Sequence, residues 1–448
     1  MLKLGNNSIN RRSEIFAMLG TGATMGKKNW EILDGKVSER ELCALKSLGE
    51  HYDGSAIIDW LAGLWDKETG GFYYANSSRD CEGFLPDIES TVQALRWCEN
   101  NGAFDTLGVK YAAALDSETA KRLTGFAKSL QCEEDGYFYH PQWGKDISGA
   151  KLGRDLGWSR ALITTLGDTP NYPTALDRLK AASQGEAKDN IPEWLASKEN
   201  YLAWLYEKTE NMRANSGGAH LINANKSQIE AAGYLELTLD YLDEMQETIY
   251  NEQLAAGERP TGLWQKPTDY RAVWGLLKYA ALYGKRPIRH QLDIARTCVD
   301  VIQLPPEGAS YHMNDVFNQW SGLCSLIKNA QVHEPEVVSD IYAIVRERLP
   351  EMVENSIKKI LPFKQADGTY SYCMGHSSPT TNGSSVSLGL PEGDVNATAL
   401  SSSMYRSVFT AAGLDVVQMC DKEDGERFLR VLKDGNTIKK RSKESFGL

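Results

Sequence analysis

The sequence predicts an all-α chain built from six repeated units, and two observations carry that prediction. A loop-to-helix unit recurs every few tens of residues, the mark of a closed or stacked array. Between the loops, apolar residues return at helical spacing, as Ile57, Ile58, Leu61, Leu64 and Trp65 do.

The first unit is GGFYYANSSRDCEGFLPDIESTVQAL, from Gly70 to Leu95. Glycines and aromatics lead into a polar loop, and Pro86-Asp87 then opens a helix. Proline suits a first helical turn, where its missing N–H costs nothing. Asp87 and Glu89 set negative charge against the positive end of the helix dipole. Further units begin at Asp135, Ser216, Thr261, Glu307 and Asp367. Each has glycine, an aromatic or histidine, a polar loop, and a helix opened near Asp or Asn.

In chain order, helices are expected at 37–49, 53–66, 86–101, 117–131, 153–167, 172–183 and 192–214. Asp53 caps the second and Pro192 opens the last of these. The run 227–256 lacks a breaker and must hide a turn. Later helices fall at 267–284, 287–303, 314–330, 335–360 and 394–413. Residues 376–393, rich in Ser, Gly, Thr and Pro, read as a lid or mobile loop. In the tail, Asp434-Gly435 between alternating apolar residues suggests a short C-terminal β-hairpin. The resulting division is an N-terminal extension (1–36), a helical repeat domain (37–415) and a tail (416–448).

The spacing of Gly70, Gly71, Phe72, Asp87, Thr91, Ala94 and Leu95 resembles the prenyltransferase and squalene-cyclase repeat. Asp394, Asn396, Thr398 and Ala399 match it in the last unit. The resemblance covers roughly residues 50 to 415 and is strongest at its two ends. It implies an (α/α)6 toroid, with six inner helices ringed by six outer ones. Its chemistry does not carry over. The chain has no DxDD for protonating a polyprene, no DDxxD for a diphosphate, and no Asp, Cys and His set of a zinc prenyltransferase.

A formal charge of −11, from 49 basic and 60 acidic residues, argues against generic nucleic-acid binding. The eight cysteines show no CxxC and no metal-ligand spacing, which points to structural thiols, a reducing compartment and no metal or cofactor. No run approaches the ~18 apolar residues of a membrane span. Asn10-Arg11-Arg12-Ser13-Glu14-Ile15-Phe16 resembles a twin-arginine leader, but Glu14 and the missing A-x-A site favour a short amphipathic helix and a cytoplasmic protein.

Chemistry is expected where the loops converge. Four of the seven histidines lie in them: His140, His220, His312 and His376. Tyr139 and Tyr311 precede two of these, and Tyr139, His140, Tyr311 and His312 are the expected proton-transfer groups. In either pair, one side chain can instead pack while the other faces the cavity. Asp87, Glu89, Asp155, Asp269, Asp315 and Asp394 lie near helix starts, where capping already explains an acid; a facing pair would suit glycoside hydrolysis. Substrate contacts are expected from Asn76, Arg79, Asp87, Trp143, Lys145, Arg154, His220, Asn225, Trp264, Arg271, Asn314 and His376. Gln142, Asn223, Lys226 and Lys266 share the same loops.

That mixture of amides, cations and indoles suits a polar saccharide. The leading expectation is a lyase cleaving a uronate-containing saccharide, in which Arg or His neutralises the carboxylate and Tyr or His moves the proton. The alternatives are a glycoside hydrolase with paired carboxylates, a terpenoid cyclase or transferase, and a non-catalytic saccharide-binding toroid.

Overall fold

The computed structural model describes residues 28–104, 110–185, 191–210, 216–265, 270–305 and 311–447. The twin-arginine-like segment, Lys266, Asp269 and the start of the fifth repeat lie outside these residues. With 61% helix against 5% strand, the chain is all-α in class.

Each of the six units supplies a helix: α1 (Ile88–Asn100), α2 (Gly149–Thr165), α3 (Ser216–Ala224), α4 (Tyr270–Ala280), α5 (Met313–His333) and α6 (Val395–Ala411). Each packs on the next, and α6 returns onto α1, so the contacts form a closed cycle. Other helices lie against this set. Ser117–Ser129 packs on α2, Gln291–Gln303 on α4 and α5, and Leu349–Ile360 on α5 and on Glu39–Gly49. Two short antiparallel hairpins complete the elements: β1 (Trp65–Asp66) with β2 (Gly71–Phe72), and β3 (Thr380–Thr381) with β4 (Ser384–Ser385).

Local chemistry fixes the helix starts. The Asp87 carboxylate accepts the Ser90 N–H at 2.9 Å, and Asp394 accepts that of Ala397 at 2.8 Å. Each satisfies a donor that the first helical turn leaves unpaired. Ser148 caps α2 in the same way, accepting from the Lys151 N–H at 3.2 Å. At α5 the Asp315 carboxylate accepts the His312 backbone N–H at 2.7 Å. The first and last units are also joined through backbone, by the Val395 N–H on Tyr74 O and by a bridge between Ala75 and Asp394. Beneath the loops, one apolar cluster runs from Leu33 to Leu432, and a second small one unites Tyr74, Ala75 and Val386 with Trp143.

Several stretches differ from the sequence expectation. Residues 216–224, read as loop, are helical and form α3 itself, so His220 sits on a helix. The helix α2 begins at Gly149, four residues before its expected start, which places Arg154 inside it. The expected helix at 192–214 divides into a short turn Glu193–Leu195 and a helix Lys198–Lys208, each with its own cap. Within 227–256 the turn falls at Ala232–Tyr234, where Gly233 takes a φ of +80°. In the run 335–360 the helices Val338–Glu347 and Leu349–Ile360 separate at Arg348, ahead of Pro350.

The expected C-terminal hairpin is instead a helix, Lys422–Asp434. Its buried Phe428 and Leu432 stand one turn apart, and Asp421 and Asp424 close a capping box at its start. Gly435, read as half of a hairpin turn, takes a φ of +88° and stops the helix. Period-2 alternation over so few residues was ambiguous, and the helical face won because it had a core to bury.

This last helix also yields a packing test. A Cβ on Gly425 would stand 2.0 Å from the Ala103 carbonyl oxygen, which is backbone and cannot move aside. Gly425→Ala should therefore lower the unfolding free energy by about 1–3 kcal/mol, the usual cost of overpacking. Gly125→Ala, with open space around its Cβ, should cost far less in the same urea titration.

Candidate active site

A cavity of about 270 Å³ opens where the six helices meet, and every one of them contributes to its wall. Glu89 comes from α1, Arg154 from α2, His220 from α3, and Trp274 and Lys278 from α4. From α5 come Asn314, Phe317 and Asn318, and from α6 Asn396 and Leu400. Tyr74 and Tyr372 enter from the first and last loops, and the β3–β4 hairpin adds Thr380, Thr381 and Asn382. Glu89, Asn314 and Asn396 lie in the first turns of their helices, and Arg154, His220, Trp274 and Phe317 lie one turn further in.

A buried charge network sets the floor. Glu89 is only 4% exposed and receives the Arg154 guanidinium. Fully buried Lys151 donates to Asp155 at 2.7 Å and stands 3.7 Å from Glu89. Burial would raise Glu89, but Arg154 and Lys151 outweigh it and hold the carboxyl below its ordinary range. Burial lifts Asp155 to about 6 against the pull of Lys151, so it is ionised at neutral pH. Trp143 covers the network from above, its ring 4.6 Å from Lys151 Nζ.

Lys278 differs from these cations. Among the described residues, its ammonium has neither an ion pair nor a hydrogen bond. Burial, with the neighbouring Arg154, lowers it to about 8. Burial, with Lys278 and Arg154, depresses His220 to about 4, so its imidazole is neutral at pH 7. His220 Nε2 lies 3.1 Å from the Asn382 side-chain oxygen. An Nε2–H donated there leaves Nδ1 as a free base. Tyr372 is driven the other way: burial, then Asp315 and Asp394, raise it, so it holds its proton. Among the described residues, four buried polar atoms of wall side chains have no hydrogen-bond partner: Tyr74 Oη, Asn314 Oδ1, Asn318 Nδ2 and Trp274 Nε1. Buried polar atoms are rarely left so, and here all of them belong to side chains of the cavity wall.

Of the residues selected from sequence, the structure gathers Arg154, His220 and Asn314 at this cavity. Tyr139, His140, Tyr311 and His312 do not line it. The Tyr139 hydroxyl donates to Asp135 at 2.9 Å, and the His140 ring bridges the Pro86 carbonyl, at 2.8 Å, and the Gln142 N–H. Tyr311 is buried against Tyr270 and Phe363, and the His312 ring stacks on Tyr372, one layer behind the wall. Neither pair therefore sends a side chain to the cavity wall, which differs both from the expected proton-transfer role and from the alternative of one packed and one inward side chain.

The expected binding residues scatter similarly. Asp87 caps α1, and Arg79 pairs with Asp80 and the Gly63 carbonyl beside the C-terminal tail. Asn76 opens the short helix Asn76–Asp80. Lys145 pairs with Glu134 at the surface, and Arg271 lies exposed over the Tyr270 ring. Asn225 holds Gln228 and the Leu221 carbonyl, and buried Trp264 donates to Leu242 O. Trp143 donates to Ser385 O, and His376 contacts the Ser377 carbonyl.

The residues missed from sequence, Trp274, Lys278, Asn318, Asn396 and Leu400, carry a signal in retrospect. Trp274 and Lys278, Asn314 and Asn318, and Asn396 and Leu400 are each spaced i, i+4, placing each pair on one helix face. A lysine and three asparagines on inward stripes are costly unless something meets them.

Comparison of the chain with protein-family models, curated proteins and solved structures returns no match. Among the described residues, no group of three His, Cys, Asp or Glu side chains is placed to hold a metal ion, and no helix is long and apolar enough to cross a membrane.

The network makes a stability prediction. Lys151→Met removes the one partner that Asp155 has among the described residues while leaving Glu89 paired to Arg154. The loss at pH 7 should be about 3–5 kcal/mol, typical of a broken buried pair. Without Lys151 the native Asp155 rises further above its unfolded value, so stability is retained at low pH and lost as pH climbs. The deficit should therefore shrink in urea titrations at pH 5.

Proposed function

We propose that the chain is an (α/α)6 toroid whose central cavity binds an acidic saccharide and cleaves it by β-elimination, as a lyase. The closed cycle of six helices supports the architecture. The observation that carries the chemistry is Lys278: an ammonium in the cavity wall that has no ion pair among the described residues, beside amides with unmet hydrogen-bonding capacity. Lys278 receives the substrate carboxylate, because Arg154 is already committed to Glu89. Asn314 and Asn318 meet ring hydroxyls, and Trp274 and Phe317 offer apolar faces to the sugar.

Bound carboxylate then changes the site. It offsets the two cations that depress His220, so the base gains strength where substrate is present. The C5–H proton passes to His220 Nδ1 and its electron pair forms the C4=C5 double bond. The C4–O bond breaks, and the leaving oxygen takes the proton of Tyr372. Exchange with solvent returns both side chains to their starting states.

The test is an assay with uronate oligosaccharides, followed by ultraviolet absorbance of the conjugated product. New reducing ends without that absorbance mean hydrolysis, and binding without turnover means a receptor; either outcome overturns the lyase. On a confirmed substrate, kcat/KM should fall as pH rises through about 8, where Lys278 loses the charge that holds the carboxylate. Lys278→Arg should move that limb upward. Lys278→Met should weaken binding roughly 10–100-fold, the value of one charge-assisted contact.

A further inference from the structure

The β3–β4 hairpin is built into the mouth of the cavity, and we propose that it confines the site to short uronates and chain ends, excluding the interior of a polymer. This inference rests on the saccharide reading above and adds the length of substrate that reaches Lys278.

The hairpin turns at Asn382 and Gly383, whose φ values of +47° and +89° match the left-handed turn that two-residue hairpins favour. Its backbone is therefore preset rather than arranged by a ligand. Three repeats then hold it. The Ser148 hydroxyl, at the start of α2, donates to Asn382 O at 3.0 Å, and His220 of α3 meets the Asn382 side chain. Trp143 Nε1 and Gln142 Nε2 donate to Ser385 O at 2.8 and 3.0 Å. Val386 is buried with Tyr74 and Ala75 of the first repeat. Behind it, Glu392 accepts the Ser77 N–H at 2.8 Å, and the Ser77 hydroxyl accepts that of Leu388.

Opening this hairpin would forfeit these contacts together and expose Val386, so it is a wall more than a swinging lid. Its inner side gives Thr380, Thr381 and Asn382 to the cavity, which suits the hydroxyls of a terminal ring. The enclosed volume of about 270 Å³ lies just under the ~300 Å³ at which small-molecule sites begin, room for one or two sugar rings. Because Thr380, Thr381 and Asn382 share the cavity wall with Lys278, in this proposal they obstruct a chain threading past it.

The test compares di-, tetra- and polymeric uronates of the galacturonate and mannuronate series. Calorimetry first decides whether any uronate binds; if none does, the saccharide reading has failed and this inference falls with it. With binding established, the wild-type chain should release only monomers and dimers, and polymer viscosity should fall no faster than product appears. Replacing Thr380–Ser385 by two glycines should shift the products to mixed lengths. Trp143→Phe combined with Gln142→Ala removes two tethers while sparing the cavity wall, and should give the same shift in part. Mixed lengths from the wild-type chain, or an unchanged product pattern in both folded variants, would overturn the inference.

Discussion

The cavity exists because the last repeat closes onto the first. The Val395 N–H on Tyr74 O, the Ala75–Asp394 bridge and the packing of α6 on α1 join segments over three hundred residues apart in sequence. Asp394 stands at that seam, capping α6 through Ala397 and receiving the Tyr372 N–H at 2.7 Å. Burial lifts its carboxyl to about 7 against those backbone N–H groups. One residue thus starts a helix, fixes the loop that delivers Tyr372, and stands beside Tyr74. Because such contacts are non-local, the wall is complete only when the whole cycle has formed.

Closure also explains how the interior tolerates so much charge. Lys151, Asp155 and Glu89 would be costly to bury singly, yet each is held by a partner on its own or the adjacent helix. The network bridges α1 and α2, fixing the Arg154 guanidinium against Glu89 before any ligand arrives. Preset groups of this kind lose little freedom on binding. Lys278, on α4, is left with its charge uncommitted, and this contrast between tied and untied cations gives the cavity its polarity.

The helical class and the starts of α1 and α6 were legible in the sequence because they rest on local rules, whereas the starts of α2 and α3 were placed too late. Asp87 and Asp394 cap as helix-start chemistry requires, and the apolar spacing follows the helix period. The site was less legible for a definite reason. Loop residues such as His140 and Tyr139 looked available, but a hydrogen-bond partner distant in sequence, as Pro86 is for His140, had already claimed the most prominent of them. The groups that meet in the cavity lie one turn inside the helices, where Lys278 and Asn318 read as ordinary helix surface until the cycle shows which face points inward. His220 was selected for its place in a loop and reached the cavity by a different route, since that loop is α3. The tail failed for a related reason: alternation and helical spacing coincide over a few residues, and only the core beneath Phe428 separates them.

Charge balance bears on which of the original substrate classes the cavity suits. Of the charged side chains that line it, Arg154 and Lys278 are cations and Glu89 is an anion, two against one, a surplus of one positive charge. A single carboxylate neutralises that surplus. A diphosphate, the head group of a prenyl substrate, would bring more negative charge than the site offsets, and buried charge without compensation is strongly unfavourable. The wall points the same way, since Asn314, Asn318 and Trp274 hold polar atoms that a hydrocarbon tail would leave unpaired. Architecture and chemistry are thus separable in this chain: caps and apolar faces set how α1 to α6 start and pack, whereas Lys278 and the asparagines set what charge and hydrogen-bonding they enclose.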